Sequence, residues 1–412
     1  MASPRLRGCA GSRRGVVDRD LNVLVGAVGV SALGDWLALV PLTLHLEETT
    51  ESGIMVALLF VAFWSPAIVL AGPAGLLADR LDPRRVLVVV SVLQATIAVG
   101  LAFASAAAAI VLLAAGLGLG FALAQPAEFA LVPRVAGEAR LAVANGRVET
   151  ARYVGFTVGP LIGGLLAAAG GFSVAMMVNA VTFLAVAAAA VVVKCPNMDS
   201  CVLPERVEGR AWSGAAYLFR DRVLAVVMAV AFVALLFMTA SWTATVFFAK
   251  DDLGIGDAGY GLLLTSWTVG MVIGATLVAR RVAAGMLALA ALVAIVVQGI
   301  GLAGPTVWVV PALAFGFFVV GGLAHGTKNV VIRTLIHERV PSTLHGRAFA
   351  AYNALRNGAE LFALVAGGLL VTAIGARWTL LLAGVIPMTA GLVALAVARR
   401  RLVEPAVAGA PA

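Results

Sequence analysis

Long apolar runs separated by short polar turns dominate this chain. Runs at about 21–46, 53–78, 86–105, 107–129, 145–169 and 172–193 are followed by a second set at about 222–249, 258–279, 283–303, 306–328, 348–374 and 377–398. A bilayer core about 30 Å thick is crossed by roughly 20 apolar helical residues, so each run suffices for one crossing. The runs are continuous rather than alternating, which selects helices over the strands of a membrane barrel. The pattern predicts an all-α integral membrane protein with twelve transmembrane helices in two six-helix bundles, 21–193 and 222–398. Between them, 194–221 carries Lys194, Glu205, Arg206, Glu208, Arg210, Arg220 and Asp221 and is long enough to be a linker. Residues 1–20 and 399–412 are the expected tails.

Composition agrees. Of 412 residues 62% are hydrophobic and 12% charged, and the mean hydropathy is +1.03, too little polar surface for a water-soluble globule. The net charge of +8 does not imply nucleic-acid binding, because the basic residues recur in clusters between the runs. Lys and Arg number five in the N-terminal tail, three in 79–85, three in 130–147, five in the linker with its flanks, two in 280–282, three in 329–347 and three in 399–401. The alternate connections hold none, or only Lys250 or Arg377. By the positive-inside rule the clustered side is cytoplasmic, which puts both termini inside a bacterial-type inner or plasma membrane. Arg13 and Arg14 resemble part of a signal sequence, but Asp18 and Asp20 interrupt before the first apolar run, which is span-length and is expected to remain. Cys9, Cys195 and Cys201 fall on the cytoplasmic side and suggest neither disulfide nor metal site.

The two halves repeat. Asn145-Gly146-Arg147 precedes His345-Gly346-Arg347 by 200 residues, and Gly163-Gly164-Leu165-Leu166 precedes Gly367-Gly368-Leu369-Leu370 by 204. A repeat at half the chain length is the signature of paired bundles related by pseudo-two-fold symmetry, with a cavity able to open to either side.

The turn between the second and third runs reads Gly75-Leu76-Leu77-Ala78-Asp79-Arg80-Leu81-Asp82-Pro83-Arg84-Arg85. This string, with the span count, resembles motif A of the major facilitator superfamily. The resemblance implies a cytoplasmic latch built from Gly75, Asp79, Arg80, Arg84 and Arg85, in which the arginines pair with Asp79 or with lipid phosphates. Asp82 stands where a glycine is usual, and Pro83 is expected to supply the turn. The fifth run carries Gly155-Phe156-Thr157-Val158-Gly159-Pro160-Leu161-Ile162-Gly163-Gly164, which resembles motif C of the family's drug and proton antiporters. Small residues four apart allow close helix packing, and Pro160 removes a backbone donor so that the helix can bend. Together with Gly34-Asp35-Trp36 and the stretches Gln125–Pro133 and Val340–Arg347, the resemblance narrows to the macrolide and siderophore exporters. The arginine such antiporters place in the fourth span is absent, since Leu112–Ala127 holds no basic residue.

Ionisable groups inside spans are unfavourable unless paired or hydrated, which makes each a functional candidate. Asp35, near mid-membrane, is the leading candidate for a proton-titrating carboxylate. Arg356 and Glu360 lie one helical turn apart and are expected to pair or to take part in coupling. Arg152, with Glu149 one turn earlier, is positioned to replace the missing arginine. Glu128 and Lys328, 200 residues apart, suggest a gate between the halves. Gly321–Lys328 has glycines spaced like a phosphate loop, but Thr327 precedes Lys328 and the string lies in a span, so no nucleotide cofactor is implied.

These features predict a secondary transporter, not an enzyme, that exchanges protons for a small amphipathic molecule such as a drug or siderophore and exports it as a monomer, with no cofactor. Import or uniport by the same fold, a non-transporting sensor and a membrane-bound enzyme are the alternatives. The last lacks a visible cluster of catalytic groups.

Overall fold

The computed structural model describes residues 5–70, 81–136, 141–193, 220–341 and 345–398. Every regular element among them is helical: α1 Arg5–Thr50, α2 Gly53–Val69, α3 Pro83–Ala102, α4 Ala107–Ala136, α5 Leu141–Val192, α6 Arg222–Phe247, α7 Gly256–Ile273, α8 Leu287–Val307, α9 Pro311–Arg339, α10 His345–Ile374 and α11 Ala376–Ala398. Wider π-type turns at Phe248–Asp252 and Gly274–Val278 extend α6 and α7. Ten helices are long and apolar enough to cross a bilayer, and α2 is an apolar helix of 17 residues. α5 is two helices, because Gly171 at φ 74° leaves the helical region and separates 141–170 from 172–192. Counting both arms, the described residues hold twelve apolar helical segments, the predicted number.

The ends differ from the runs in hydropathy. α1 starts at Arg5, inside the expected tail, and α9 continues through His337 to Arg339. A helix satisfies its own backbone bonds, so it can outlast the apolar stretch wherever the outer turns carry polar side chains.

By backbone proximity the described residues group into two units, one within Met1–His45 and Ala62–Glu205, the other within Leu46–Val61 and Arg206–Ala412. Residues 46–61, which the hydropathy pattern counts with the first set of runs, lie close to helices of the second unit. A Cβ on Gly53 would lie 2.9 Å from Val371 Cγ1, and one on Gly368 would meet Ala57, so α2 starts hard against α10.

In the first unit α3 packs on α4 and α5. The first arm of α5 lies on α1, where a Cβ on Gly155 would stand 2.6 Å from the Gly29 carbonyl oxygen and one on Gly159 2.9 Å from that of Leu33. In the second unit α8 packs between α9 and α11, α7 lies on α9, and α6 lies on α10 and α11. Gly270 and Gly274 of α7 touch the backbone of α9, and Gly322 and Gly326 of α9 touch that of α7. The repeat extends to this detail. Gly163 packs α5 on α1, while Gly367, 204 residues on, packs α10 on α6. Gly171 and Gly375, also 204 apart, both turn the chain at positive φ, 74° and 83°.

Asp82 caps α3 by accepting from the Arg84 amide at 3.0 Å, with Pro83 in the first turn as expected. Asp221 caps α6, accepting from the Val223 and Leu224 amides at 2.9 Å each and from Arg339 Nη1 at 3.0 Å. Partial burial works to raise the Asp221 carboxyl. The Leu224 amide, the Arg339 guanidinium and the Val223 amide outweigh it and hold the group below the usual carboxylate range. A lowered native value stabilises the fold above the unfolded pKa, and the benefit is lost as pH falls through the native one.

Asp221→Ala should therefore destabilise the protein by about 1 kcal/mol at neutral pH. Thermal unfolding in detergent checks this, and the difference between the two proteins should shrink towards pH ~3.

Candidate functional site

Three helices of the first unit converge on one buried charged centre. Ser31 and Asp35 of α1, Gln125 and Glu128 of α4, and Arg152 and Phe156 of α5 line a single narrow pocket. The close seat of α5 on α1 brings Arg152 there, and it exists because Gly155, Gly159 and Gly163 present no side chain to α1. Pro160 is buried in the same helix. Arg152 Nη2 donates to Glu128 Oε2 at 3.2 Å, and its guanidinium carbon lies 4.8 Å from the centroid of the Phe129 ring. Arg152 Nε is buried without a hydrogen-bond partner. Asp35, Glu128 and Arg152 are 5%, 6% and 7% exposed. Asp35 makes no hydrogen bond to a described residue. One arginine thus faces two carboxylates, and the centre carries one excess negative charge when all three are ionised. Glu149 is half-buried on α5 and does not line the pocket.

A second buried centre occupies the second unit. Lys328 Nζ donates to Gln298 Oε1 at 2.8 Å and lies 3.4 Å from His325 Nδ1, whose Nε2 is 2.9 Å from the Asn329 amide. Trp267 packs beside His325, with ring centroids 5.8 Å apart. On α10, Arg356 Nε donates to Glu360 Oε1 at 2.9 Å, the pairing that their spacing predicts. The centres correspond in the repeat. Glu128 and Lys328 are 200 residues apart, as are Gln125 and His325, while Arg152 and Arg356 are 204 apart. Glu128 and Lys328, expected as a gate, each have a hydrogen-bond partner within their own unit.

Of the motif A residues, Gly75, Asp79 and Arg80 lie outside the described residues. Arg84 donates to the carbonyls of Ala190 and Val191 at 3.3 and 3.0 Å, satisfying open acceptors at the end of α5. Arg85 is exposed, 3.9 Å from Asp82. Gly164 is buried beside Gly163.

One cluster was not anticipated. Lys250 Nζ lies 2.8 Å from Glu47 Oε2, 2.8 Å from Glu48 Oε1 and 3.4 Å from Asp257 Oδ1, a single cation shared by three carboxylates. These charges sit at the ends of apolar runs, where the pattern reads them as topology signals, and their convergence has no sequence signature. Gln298 was missed as well; its signal is one amide in an otherwise apolar span. Among the described residues no three His, Cys, Asp or Glu side chains converge as for a metal ion.

Comparison with known proteins bears on this architecture. The Major Facilitator Superfamily profile matches residues 24–359 and, in a second alignment, 230–411. The chain belongs to the major facilitator superfamily. A curated relative, the uncharacterized MFS-type transporter YfiS of Bacillus subtilis (strain 168), is 26% identical over 95% of this chain and 97% of its own length. Among solved structures, the nucleoside transporter NupG matches with a TM-score of 0.68 at 14% identity, over 92% of this chain and 98% of that one. A POT family transporter in complex with a thioalcohol-conjugated peptide matches with a TM-score of 0.72 at 10% identity, over 94% and 97%. At such identities the structures establish the fold alone. As a superfamily member, the chain is a multi-pass membrane transporter of the secondary kind, acting on a small molecule, and not an enzyme.

Removing one partner of a buried ion pair is more damaging than removing both. Arg152→Gln should lower stability by about 3 kcal/mol, and Glu128→Gln combined with Arg152→Gln by less. Thermal unfolding of the purified variants in detergent measures both.

Proposed function

We propose that this transporter is a proton-coupled antiporter that exports a small amphipathic organic molecule by alternating access. The observation that carries the reading is the buried set Asp35, Glu128 and Arg152, with one more carboxylate than cation inside the span region. Such an excess is unfavourable in a low-dielectric interior, and one proton removes it. A positively charged solute removes it equally well, and a hydrogen-bond donor on the solute offsets part of its cost. Competition between proton and solute for the same carboxylates is the physical basis of antiport. Arg152 on α5 then stands in for the arginine that related antiporters carry in the fourth span, and Gly155, Gly159, Pro160, Gly163 and Gly164 hold it in place. Glu149 tunes the field at Arg152 from one turn away, and Arg356 with Glu360 forms the corresponding pair in the second unit.

The resemblance to macrolide and siderophore exporters supports efflux of a drug-like or secondary-metabolite solute. In this reading Gly75, Asp79, Arg80, Arg84 and Arg85 form the cytoplasmic latch, and Glu128 and Lys328 a gate. The residues 21–193 and 222–398 act as the two bundles of a monomer in a bacterial-type plasma membrane, with both termini in the cytoplasm.

The test is transport by the purified chain in liposomes carrying an internal pH dye, challenged with a macrolide, a siderophore and ethidium under an imposed pH gradient. At least one solute should drive proton flux opposite to its own movement, and Asp35→Asn should abolish that flux while leaving folding intact. Efflux that ignores the gradient, or inward movement with protons, would overturn the proposal.

A further inference from the structure

We propose that the Lys328 centre of the second unit is an anion site that takes the carboxylate of the transported molecule, an inference that rests on the exporter reading for its solute.

Lys328 is 3% exposed and Gln298 2%. An ammonium carries three N–H donors. Two point to neutral acceptors, Gln298 Oε1 at 2.8 Å and His325 Nδ1 at 3.4 Å, and no carboxylate of a described residue pairs with the third. Nitrogen flanks the ring on both sides, with Lys328 Nζ 3.4 Å from Nδ1 and Asn329 Nδ2 2.9 Å from Nε2, and an imidazole is neutral or cationic in every protonation state that such neighbours allow. His325 therefore adds no negative charge. Arg356 lies within electrostatic range of both His325 and Lys328. Its pair with Glu360 uses Nε, which leaves the two terminal nitrogens of a 39% exposed side chain open to a second oxyanion. Lys328 and Arg356 against Glu360 give one excess positive charge, where the corresponding centre of the first unit has one excess negative charge.

A buried ammonium without a counter-anion is as unfavourable as a buried carboxylate without a cation. A single negative charge with two acceptor oxygens restores the balance, which describes a monocarboxylate rather than a phosphate dianion. Trp267 lies beside His325 and meets Phe318 edge-on at 5.9 Å, so aromatic surface adjoins the centre. The predicted ligand is an amphipathic monocarboxylate.

The experiment is equilibrium binding to the purified full-length chain in detergent, followed by tryptophan emission. The probes are benzoate, its uncharged analogue benzamide, and chloride, with Trp267→Phe to identify the reporting ring. Benzoate should give a saturable change that Trp267→Phe removes, and Lys328→Gln should weaken it at least about tenfold. Equal responses to benzoate and benzamide on the intact chain would overturn the proposal, and this arm stands even if Lys328→Gln does not fold. Unchanged binding in a folded Lys328→Gln protein would also overturn it. If chloride competes as strongly as benzoate, the centre is an inorganic-anion site and the carboxylate assignment fails. Proton-linked flux, measured separately, distinguishes the two readings. Flux without benzoate binding rejects this site alone, and benzoate binding without proton-linked flux rejects the exporter reading alone.

Discussion

Inside a bilayer, apolar surface gains nothing by leaving lipid for protein, so helices associate through close packing and the polar contacts it permits. Everything distinctive in this structure depends on that constraint. The approach of α5 to α1 is set by Gly155 and Gly159, whose missing side chains let the two backbones nearly touch. Only at that separation do Arg152, Glu128 and Asp35 line the same pocket. A Cβ at either glycine would force α5 and α1 apart and so separate Arg152 from Asp35. The same device recurs between α7 and α9, where glycines on each helix meet the backbone of the other. Packing and electrostatics are therefore one mechanism here, since small residues bring the charged ones together.

The repeat conserves geometry while inverting charge. Gly163 and Gly367 place equivalent helices in equivalent contacts, and Gly171 and Gly375 turn the chain at equivalent points. Arginine stands at the same repeat position in both, as Arg152 and Arg356. The residue opposite it differs. Where the first unit has Glu128, the second has Lys328, which cannot neutralise an arginine, and Arg356 instead finds Glu360 one turn along its own helix. Two differences, Glu128 against Lys328 and Phe156 against Glu360, accompany the change from a pair between helices to a pair within one.

The sequence made the spans legible because the physics that selects them is one-dimensional: a stretch either has enough apolar residues to cross or it does not. Helix ends were less legible, since polar turns beyond the lipid, such as those carrying His337 and Arg339, remain helical without changing hydropathy. Arg356 and Glu360 could be paired from spacing alone. Glu128 and Arg152 could not, because a partner on another helix depends on rotation about both axes, and Glu149 on the same helix was the nearer candidate in sequence. The three carboxylates around Lys250 were hidden for a similar reason, being drawn from segments more than 200 residues apart.

Buried charges of opposite sign in the two units have an electrical meaning. The membrane potential acts on any charge held inside the hydrocarbon region, at about 2.3 kcal/mol per elementary charge for each 100 mV. Lys328 in the second unit and Asp35 and Glu128 in the first are each held on apolar helices, where that field acts on them. A step that carried either set along the membrane normal would be driven or opposed by voltage, whatever the charge of the cargo.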